Sequence, residues 1–324
     1  MNSPSSGVQP SLQHFPITFF ALVMGMSGLT LAWQKAEVVL GINWDISLLL
    51  LGVTATVFVM LVAAFVLKSL RYIDAVKAEL LHPVKVSFFP AISISCMLMG
   101  TAFATRAPAF GQLLWVLGAV AHFGLTLYVI GAWMGRGTFK IQHMNPAWFI
   151  PAVGNVVAPI GGVGFGFFEV SWFFFSVGML FWLVLLTIVF NRILFHDPIE
   201  ARLMPSLFIL IAPPAVGFVS YCHLQPELDN FGRFLFFAGL FLTFLLISQF
   251  RRFLNLPFAL SWWAYSFPSA AMTIATFVMY ERSQVIGYQT LAIVFLTAMT
   301  ALIAHLFWRT LRVTLAAKVF LPEG

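Results

Sequence analysis

Long apolar stretches, separated by short polar segments, follow one another along almost the whole chain of 324 residues. Most contain about 20 residues with few charges, which is the length that an α-helix needs to cross a bilayer. The pattern predicts ten transmembrane helices, at residues 15–34, 47–67, 88–105, 110–134, 148–168, 171–191, 203–223, 231–250, 259–279 and 290–311. We therefore expect an all-α integral membrane protein with one transmembrane domain at 15–311, a disordered tail at 1–14 and a short tail at 312–324.

The longest connection, residues 70–85, carries a weaker apolar pattern of its own. Leu70, Ile73, Val76 and Leu80 recur at helical spacing, so the segment either extends the second helix or lies at the membrane surface. The step from His82 to Pro83 should end it.

Prolines divide the predicted helices into two classes. None of the 17 prolines lies inside an even-numbered span, whereas every odd-numbered span contains at least one. The prolines of the odd spans are Pro16, Pro90, Pro151, Pro159, Pro205, Pro213, Pro214 and Pro268. This segregation predicts a hairpin of one broken and one regular helix that is repeated five times. The five broken helices would form an inner ring around a pore, with the five regular helices outside it.

The individual prolines differ in how strongly they predict a kink. Those near the start of a span are equally compatible with the first turn of a helix, where proline is tolerated: Pro16, Pro90, Pro151 and Pro205. Four others fall in mid-span, where a kink is the expected result: Pro159, Pro213, Pro214 and Pro268. The odd spans are also rich in small residues, for which close helix packing is a sufficient explanation. The bulkier even spans suit a lipid-facing layer.

One aromatic residue stands beside the last of these prolines. Phe267 precedes Pro268 in an uncharged span, and Ala264 and Ala271 lie on the helical faces nearest to it. A ring projecting from a small-residue surface could block a pore, sterically and by dewetting. A core aromatic packed between helices is an equally good interpretation, since the chain has 37 phenylalanines.

Basic residues fall mostly on one side of the predicted helices. Thirteen of the 17 lie in the C-terminal part or in connections that lead from an even to an odd span, and only Lys35, Arg106, Arg233 and Arg282 lie on the other side. The positive-inside rule then places both termini in the cytoplasm, with the odd helices running from inside to outside. The first fourteen residues contain no Lys or Arg, unlike the start of a cleavable signal peptide. The predicted location is a plasma membrane, in a bacterium the inner membrane.

Composition supports a polytopic membrane protein and restricts its chemistry. Hydrophobic residues make up 61% of the chain, charged residues 9%, and the mean hydropathy is +0.96. The net charge of +6 follows the orientation signal, so we expect the lipid bilayer and not nucleic acid as a partner. Cys96 and Cys222 lie in apolar stretches, which favours buried free thiols over a disulfide or a metal site.

Titratable residues are scarce inside the predicted spans. None of the eleven acidic residues lies well within a span, which argues against a proton-coupled carrier and against a cation pore. His122 and His305 do lie within spans, where a packed neutral histidine bonded to a backbone group is favoured over a proton relay or a metal ligand. No spacing typical of a metal centre or a hydrolase is found, so we expect no catalytic residue, no metal and no cofactor.

Four stretches of the chain resemble one known family: FFALVMGMSGLTLAW at 19–33, HPVKVSFFP at 82–90, NPAWFIPAVGNVVAP at 145–159 and SWWAYSFPSAAM at 261–272. They are similar to the tellurite-resistance/dicarboxylate transporter family, which includes bacterial tellurite-resistance membrane proteins and the slow anion channels of plant guard cells. The resemblance implies five inner and five outer helices around a pore in each protomer, a homotrimer, and occlusion by a phenylalanine that matches Phe267. Pro268 stands where a bacterial relative has glycine and where plant members commonly have proline.

The leading hypothesis is an anion channel that passively conducts small monovalent anions such as chloride or nitrate. Phe267 would be its gate, and the residues expected at the pore wall or its kinks are Pro16, Pro90, Pro159, Pro213, Pro214, Ala264, Pro268 and Ala271. A secondary transporter or exporter of C4-dicarboxylate, sulfite or tellurite is the main alternative. A membrane sensor without transport is a third.

Overall fold

The computed structural model describes residues 11–315, and the regular structure in this range is helical throughout. Its α-helices are α1 (Phe20–Leu40), α2 (Ile46–Arg71), α3 (Ile73–Leu81), α4 (Pro90–Phe103), α5 (Pro108–Gly135), α6 (Phe149–Gly162), α7 (Phe168–Phe195), α8 (Ala212–Leu224), α9 (Asn230–Ser248), α10 (Arg251–Leu254), α11 (Ser266–Ser283) and α12 (Ile286–Leu315). The tails predicted at 1–14 and 312–324 fall largely outside the described residues, although Arg312 and the three residues after it belong to α12.

Eight helical segments within residues 11–315 are long and apolar enough to cross a membrane: Ile17–Leu40, Ile46–Arg71, Lys85–Phe103, Pro108–Gly135, Phe168–Phe195, Ala201–Leu224, Asn230–Ser248 and Ile286–Leu315. The prediction of an all-α integral membrane protein is thereby confirmed. The predicted spans at 148–168 and 259–279 correspond to α6 and α11, which are not among the eight. Helix α6 has only 14 residues, because the chain turns after Gly162 and α7 already begins at Phe168.

Burial separates the helices into an inner and an outer set. In the segments that contain α1, α4 and α8, 72%, 72% and 83% of the most apolar stretch is buried, and most residues of α6 and α11 are buried as well. In α2, α5, α7, α9 and α12 the buried share is between 17% and 39%. We call α1, α4, α6, α8 and α11 the inner helices and the other five the outer helices.

The inner helices contact one another in a closed cycle. Helix α1 packs on α4, α4 on α6, α6 on α8, α8 on α11, and α11 returns to α1. Each outer helix packs against the inner helix that precedes it and against the next inner helix of the cycle. Because consecutive inner helices are joined through an antiparallel outer helix, all five run in the same direction.

Every inner helix begins with a 3₁₀ segment. These five lead-in segments are Ile17–Phe19, Lys85–Phe88, Pro146–Trp148, Ala201–Ile211 and Leu260–Tyr265. A 3₁₀ turn is narrower than an α-turn and is used where a helix starts or changes course. The outer helices have no such segment before them within the described range, so the two classes that the prolines predicted differ in backbone conformation.

The lead-in segments change the interpretation of the prolines. Pro213, Pro214 and Pro268, predicted to kink a helix in mid-span, lie in the first turn of α8 and α11. Pro213 and Pro214 remain in mid-span of the segment Ala201–Leu224, but all three prolines lie where a 3₁₀ segment continues directly into an α-helix, so they mark a change of helix type. Pro159 lies inside α6, as predicted.

Two glycines bring α1 and α11 close together. A Cβ atom on Gly25 would lie 2.6 Å from the Cβ of Ser266, and one on Gly28 would lie 2.7 Å from the Cβ of Ala270. Neither distance is possible for real side chains. The sequence GMSG at 25–28 therefore allows the backbones of the two inner helices to approach closely, as small residues do in membrane proteins.

The connection predicted at 70–85 forms a separate nine-residue helix, α3, which starts after the break at Tyr72 and ends at Leu81. The alternative of one continuous second helix is therefore wrong. A buried ion pair holds α3 in place: Nζ of Lys68 on α2 lies 2.8 Å from Glu79 on α3 and donates to the Phe15 carbonyl at 2.7 Å.

Candidate functional site

Four of the five lead-in segments, all except Pro146–Trp148, line a cavity of about 1140 Å³. Each inner helix, taken together with the residues that precede it, contributes lining residues. These residues lie before the helix or in its N-terminal part. Representative members are Thr18 before α1, Phe88 before α4, Ile150 in α6, Ser206 before α8 and Ala264 before α11. The cavity therefore lies on the axis of the ring and opens on the side where the inner helices begin. The positive-inside rule predicts that this side is cytoplasmic.

The lining residues that lie farthest along the inner helices are apolar: Met24, Val153, Ala212, Phe267 and Pro268, one or two from each of four inner helices. Phe267 is 8% exposed, and Met24 and Val153 are 5% and 2% exposed. Its ring lies against the backbone of α1, where a Cβ atom on Gly28 would be 3.7 Å away. Phe267 thus stands between the cavity and the packed part of the ring.

One turn beyond Phe267, the same face of α11 carries a small residue. Ala271 follows Phe267 by four positions, so the two side chains point in the same direction. Ala271 is buried, at 4% exposure, although its side chain is short.

Apart from the hydroxyl residues Thr18, Ser206 and Ser261, the polar and charged residues that line this cavity come from the connections before the inner helices: His82, Lys85, Gln142, His143, Glu200 and Arg202. His82 and His143 have structural roles there. Nδ1 of His82 accepts the backbone N–H groups of Val84 and Lys85 at 3.1 and 3.3 Å, and Nδ1 of His143 accepts that of Lys140 at 3.2 Å. Among the described lining residues, the two cations Lys85 and Arg202 outnumber the one carboxylate, Glu200. An excess of positive charge raises the local concentration of anions.

The structure brings only part of the predicted site together. Pro16, Ala264, Phe267 and Pro268 line the cavity. Five others are buried among the inner and outer helices and are not among its lining residues: Pro90, Pro159, Pro213, Pro214 and Ala271. The prediction missed Met24, Val153 and Ala212, which share the depth of Phe267 on the neighbouring helices.

The two histidines of the predicted spans behave differently. His122 on α5 is fully buried; its Nε2 lies 3.1 Å from the Pro151 carbonyl and its Nδ1 lies 2.9 Å from Oγ of Ser93. Because a carbonyl oxygen only accepts, Nε2 carries the proton, and the prediction of a packed histidine is confirmed for His122. It was wrong for His305, which is exposed on the outer face of α12. Cys96 and Cys222 are free thiols, as predicted.

Residues 11–315 contain no group of three or more His, Cys, Asp or Glu that could hold a metal ion. The cavity walls consist of aliphatic and aromatic side chains with a few hydroxyl groups. Such a site can exclude water and select by size, and it offers weak polar contacts to a passing ion.

Comparison with known proteins gives a consistent set of similarities. Residues 14–311 match a family described as voltage-dependent anion channel. The chain is 30% identical to the S-type anion channel SLAH3 of Arabidopsis thaliana over 84% of its length and 44% of the relative, and 28% identical to the guard cell S-type anion channel SLAC1 of the same plant over 95% and 57%. It thus spans about half the length of these plant relatives.

A bacterial relative matches over nearly its whole length. The chain is 25% identical to the tellurite resistance protein TehA homolog of Haemophilus influenzae, over 89% of this chain and 88% of that protein. Together with the plant matches, this confirms the resemblance carried by the four sequence stretches.

Proposed function

Since the chain belongs to the voltage-dependent anion channel family, we propose that it is an anion channel and that it passively conducts small monovalent anions, such as chloride or nitrate, through one pore in each protomer. The pore is the axis of the ring of inner helices, and the cavity is its cytoplasmic half. In this proposal all ten predicted helices cross the membrane as five hairpins, both termini are cytoplasmic, and the membrane is a bacterial inner membrane.

The observation that carries the proposal is the position of Phe267 at the closed end of a cavity shared by all five inner segments. The ring is the largest side chain at that depth and is backed by small residues, Gly28 on α1 and Ala271 on its own helix. Phe267 is therefore the gate. Its removal would leave the cavity continuous with the next turn of the ring, where the residues on the same faces are short.

The chemistry of the wall favours monovalent anions. A positive opening attracts anions, and no acidic side chain lines the cavity below Glu200 at its opening. The cost of removing an ion from water rises with the square of its charge, so an apolar constriction rejects divalent ions more strongly than monovalent ones.

Currents through purified protein in planar bilayers test the gate. In Phe267→Ala we expect the anion conductance to rise at least about ten-fold, which corresponds to about 1.4 kcal/mol removed from the barrier. Phe267→Leu should give an intermediate value. Phe277→Leu is the matched control, since Phe277 is fully buried on the same helix and does not line the cavity. A folded Phe267→Ala protein with no more current than the unchanged chain would refute the gate.

Measuring the reversal potential of the current distinguishes a channel from a secondary transporter. In asymmetric chloride solutions a channel current reverses at the chloride equilibrium potential. Saturable flux that follows an imposed proton gradient would instead identify a secondary transporter. The homotrimer implied by the resemblance stays a prediction, and chemical cross-linking in intact membranes tests it.

A further inference from the structure

The far end of the ring, opposite the cavity, carries an ion pair. Lys35, near the C-terminus of α1, pairs with Glu281, near the C-terminus of α11. Both side chains remain partly exposed, 28% for Lys35 and 34% for Glu281, although Ala36 and Met279 beside them are fully buried. Two inner helices that meet at backbone distance beside Phe267 are thus joined by opposite charges at their other end.

Helical register places both charges on the face that lines the cavity. On α1, Lys35 follows Ala21 by fourteen positions and Gly28 by seven, which is almost a whole number of turns in each case. On α11, Glu281 follows Phe267 by fourteen positions, or about 21 Å along the axis. Ala21 and Phe267 both line the cavity. The ion pair therefore lies along the same axis as the cavity, on the far side of the gate.

Two further groups of this end, His223 and Arg282, lie near the ion pair. His223, eleven positions after the cavity-lining Ala212, lies on the same face of α8 and within electrostatic reach of Lys35, Arg282 and Glu281. The guanidinium of Arg282 is held by the carbonyl groups of Cys222, at 2.8 Å, and Pro226. This anchors the end of α8 to α11 and leaves Glu281 to pair with Lys35. A second carboxylate of this end, Asp229, is held by the Tyr221 hydroxyl and the Gly232 N–H, so Glu281 is the one that pairs with Lys35.

We propose that Lys35 is a binding residue for small inorganic anions at the far end of the pathway and that the Glu281 carboxylate competes with them for it. In the present arrangement Glu281 occupies the Lys35 ammonium as a tethered anion. A permeating anion arriving at this end displaces the carboxylate, so the pair sets anion affinity and the rate of entrance from that side. The inference rests on the proposed channel function.

The test uses the conducting Phe267→Ala protein as the parent, in planar bilayers at 0.05 M and 1 M chloride. Adding Glu281→Gln should raise the anion current from the Lys35 side about two-fold or more at low salt, because a negative charge beside the path is removed. Adding Lys35→Gln should lower that current to a similar degree, and Lys35→Arg should restore it. At 1 M chloride the differences should shrink, since the Debye length falls to about 3 Å.

Asp45→Asn supplies the matched control. It removes the same charge from the same side of the protein, but Asp45 pairs with Arg106 in exposed connections between helices, away from the cavity-lining faces. Equal low-salt currents in Glu281→Gln and its parent, with both proteins folded, would overturn the inference, as would an equal rise in Asp45→Asn. No current in the Phe267→Ala parent would instead overturn the proposed function.

Discussion

At the scale of single residues, the contact between α1 and α11 depends on two positions without a side chain. Gly28 makes room for the Cβ of Ala270, and Gly25 makes room for Ser266 in the same way, while Phe267 lies in ordinary contact with the same stretch of α1. Ser266 in turn donates a hydrogen bond to the Trp263 carbonyl at 2.6 Å, at the point where the lead-in segment becomes α11. The position of Phe267 is thus set by the close approach of α11 to α1 as well as by its own helix.

Gly25→Ala should destabilise the protein by about 1 to 3 kcal/mol, since the added methyl group overlaps the Ser266 side chain and pushes the helices apart. Thermal unfolding in detergent measures the effect. Gly52→Ala is the control: Gly52 lies on the outer helix α2 with no atom within 4 Å of the added Cβ, and alanine favours a helix there by about 1 kcal/mol. Equal melting temperatures for the two variants would contradict the close approach.

At the scale of elements, α3 and the start of the chain are tied to α2 by one buried charge. The Lys68 side chain is completely buried, and it bridges Glu79 and the Phe15 carbonyl, one residue before the cavity-lining Pro16. The position of α3 is therefore coupled to the wall of the cavity through a single ammonium group. A surface helix that contributes nothing to the lining still fixes part of it.

Lys68→Met should reduce the free energy of unfolding by about 2 kcal/mol, because it leaves the partly buried Glu79 carboxylate and the Phe15 carbonyl without their charged donor. Lys77→Met, which removes an exposed cation paired with Asp74 on the same helix, should change it by less than about 0.5 kcal/mol. The double variant Lys68→Met with Glu79→Leu should recover part of the loss. Comparable losses for Lys68→Met and Lys77→Met would contradict the assignment.

The start of α9 is capped by Asp229, whose carboxylate accepts the Gly232 N–H at 2.8 Å and the Tyr221 hydroxyl. The hydrogen bond from Gly232 lowers the pKa of this carboxyl from its usual 3.8. The stabilisation that the ionised Asp229 carboxylate gives the folded protein is therefore complete above pH 3.8, and it is lost as the pH falls through the lower pKa of the folded state.

We expect Asp229→Ala to cost about 1 kcal/mol at pH 7, through loss of the cap. Thermal unfolding at pH 7 and at pH values below 3.8 measures both the cost and its disappearance. Glu227→Ala, an exposed carboxylate in the same connection, should have little effect at either pH. A loss that persists unchanged in acid would refute the cap.

At the scale of the whole molecule, the ring was readable from the sequence in outline. Segregation of prolines gave the two classes of helix, and hydropathy gave their order. The predicted span at 148–168 is longer than α6, because the turn after Gly162 is as apolar as the helix before it. Lead-in segments were not foreseen because a 3₁₀ start and a mid-helix kink leave the same proline signal, as Pro213 and Pro268 demonstrate. Which residues share the depth of Phe267 depends on how the helices are staggered, which no local pattern encodes.

The sidedness of the molecule can be measured directly with single cysteines in a chain that lacks Cys96 and Cys222. Asn43→Cys, in the exposed connection between α1 and α2, should react with a membrane-impermeant maleimide on intact cells. Thr138→Cys, exposed after α5, should react only after permeabilisation. This expectation follows from the positive-inside rule. The reverse labelling pattern would show the opposite orientation in the membrane, with the cavity opening to the outside.

The parallel course of the five inner helices has an electrical consequence. An α-helix carries about half an elementary charge of each sign at its ends, positive at the N-terminus. Here five N-termini surround the cavity, and five C-termini point to the opposite end, so their dipoles add along one axis. Backbone groups alone thus create a standing field that draws negative charge into the cavity and opposes it at the far mouth, where Lys35 and Arg282 offset the accumulated negative pole. The proposed conduction path is therefore asymmetric, and we expect its current to rectify.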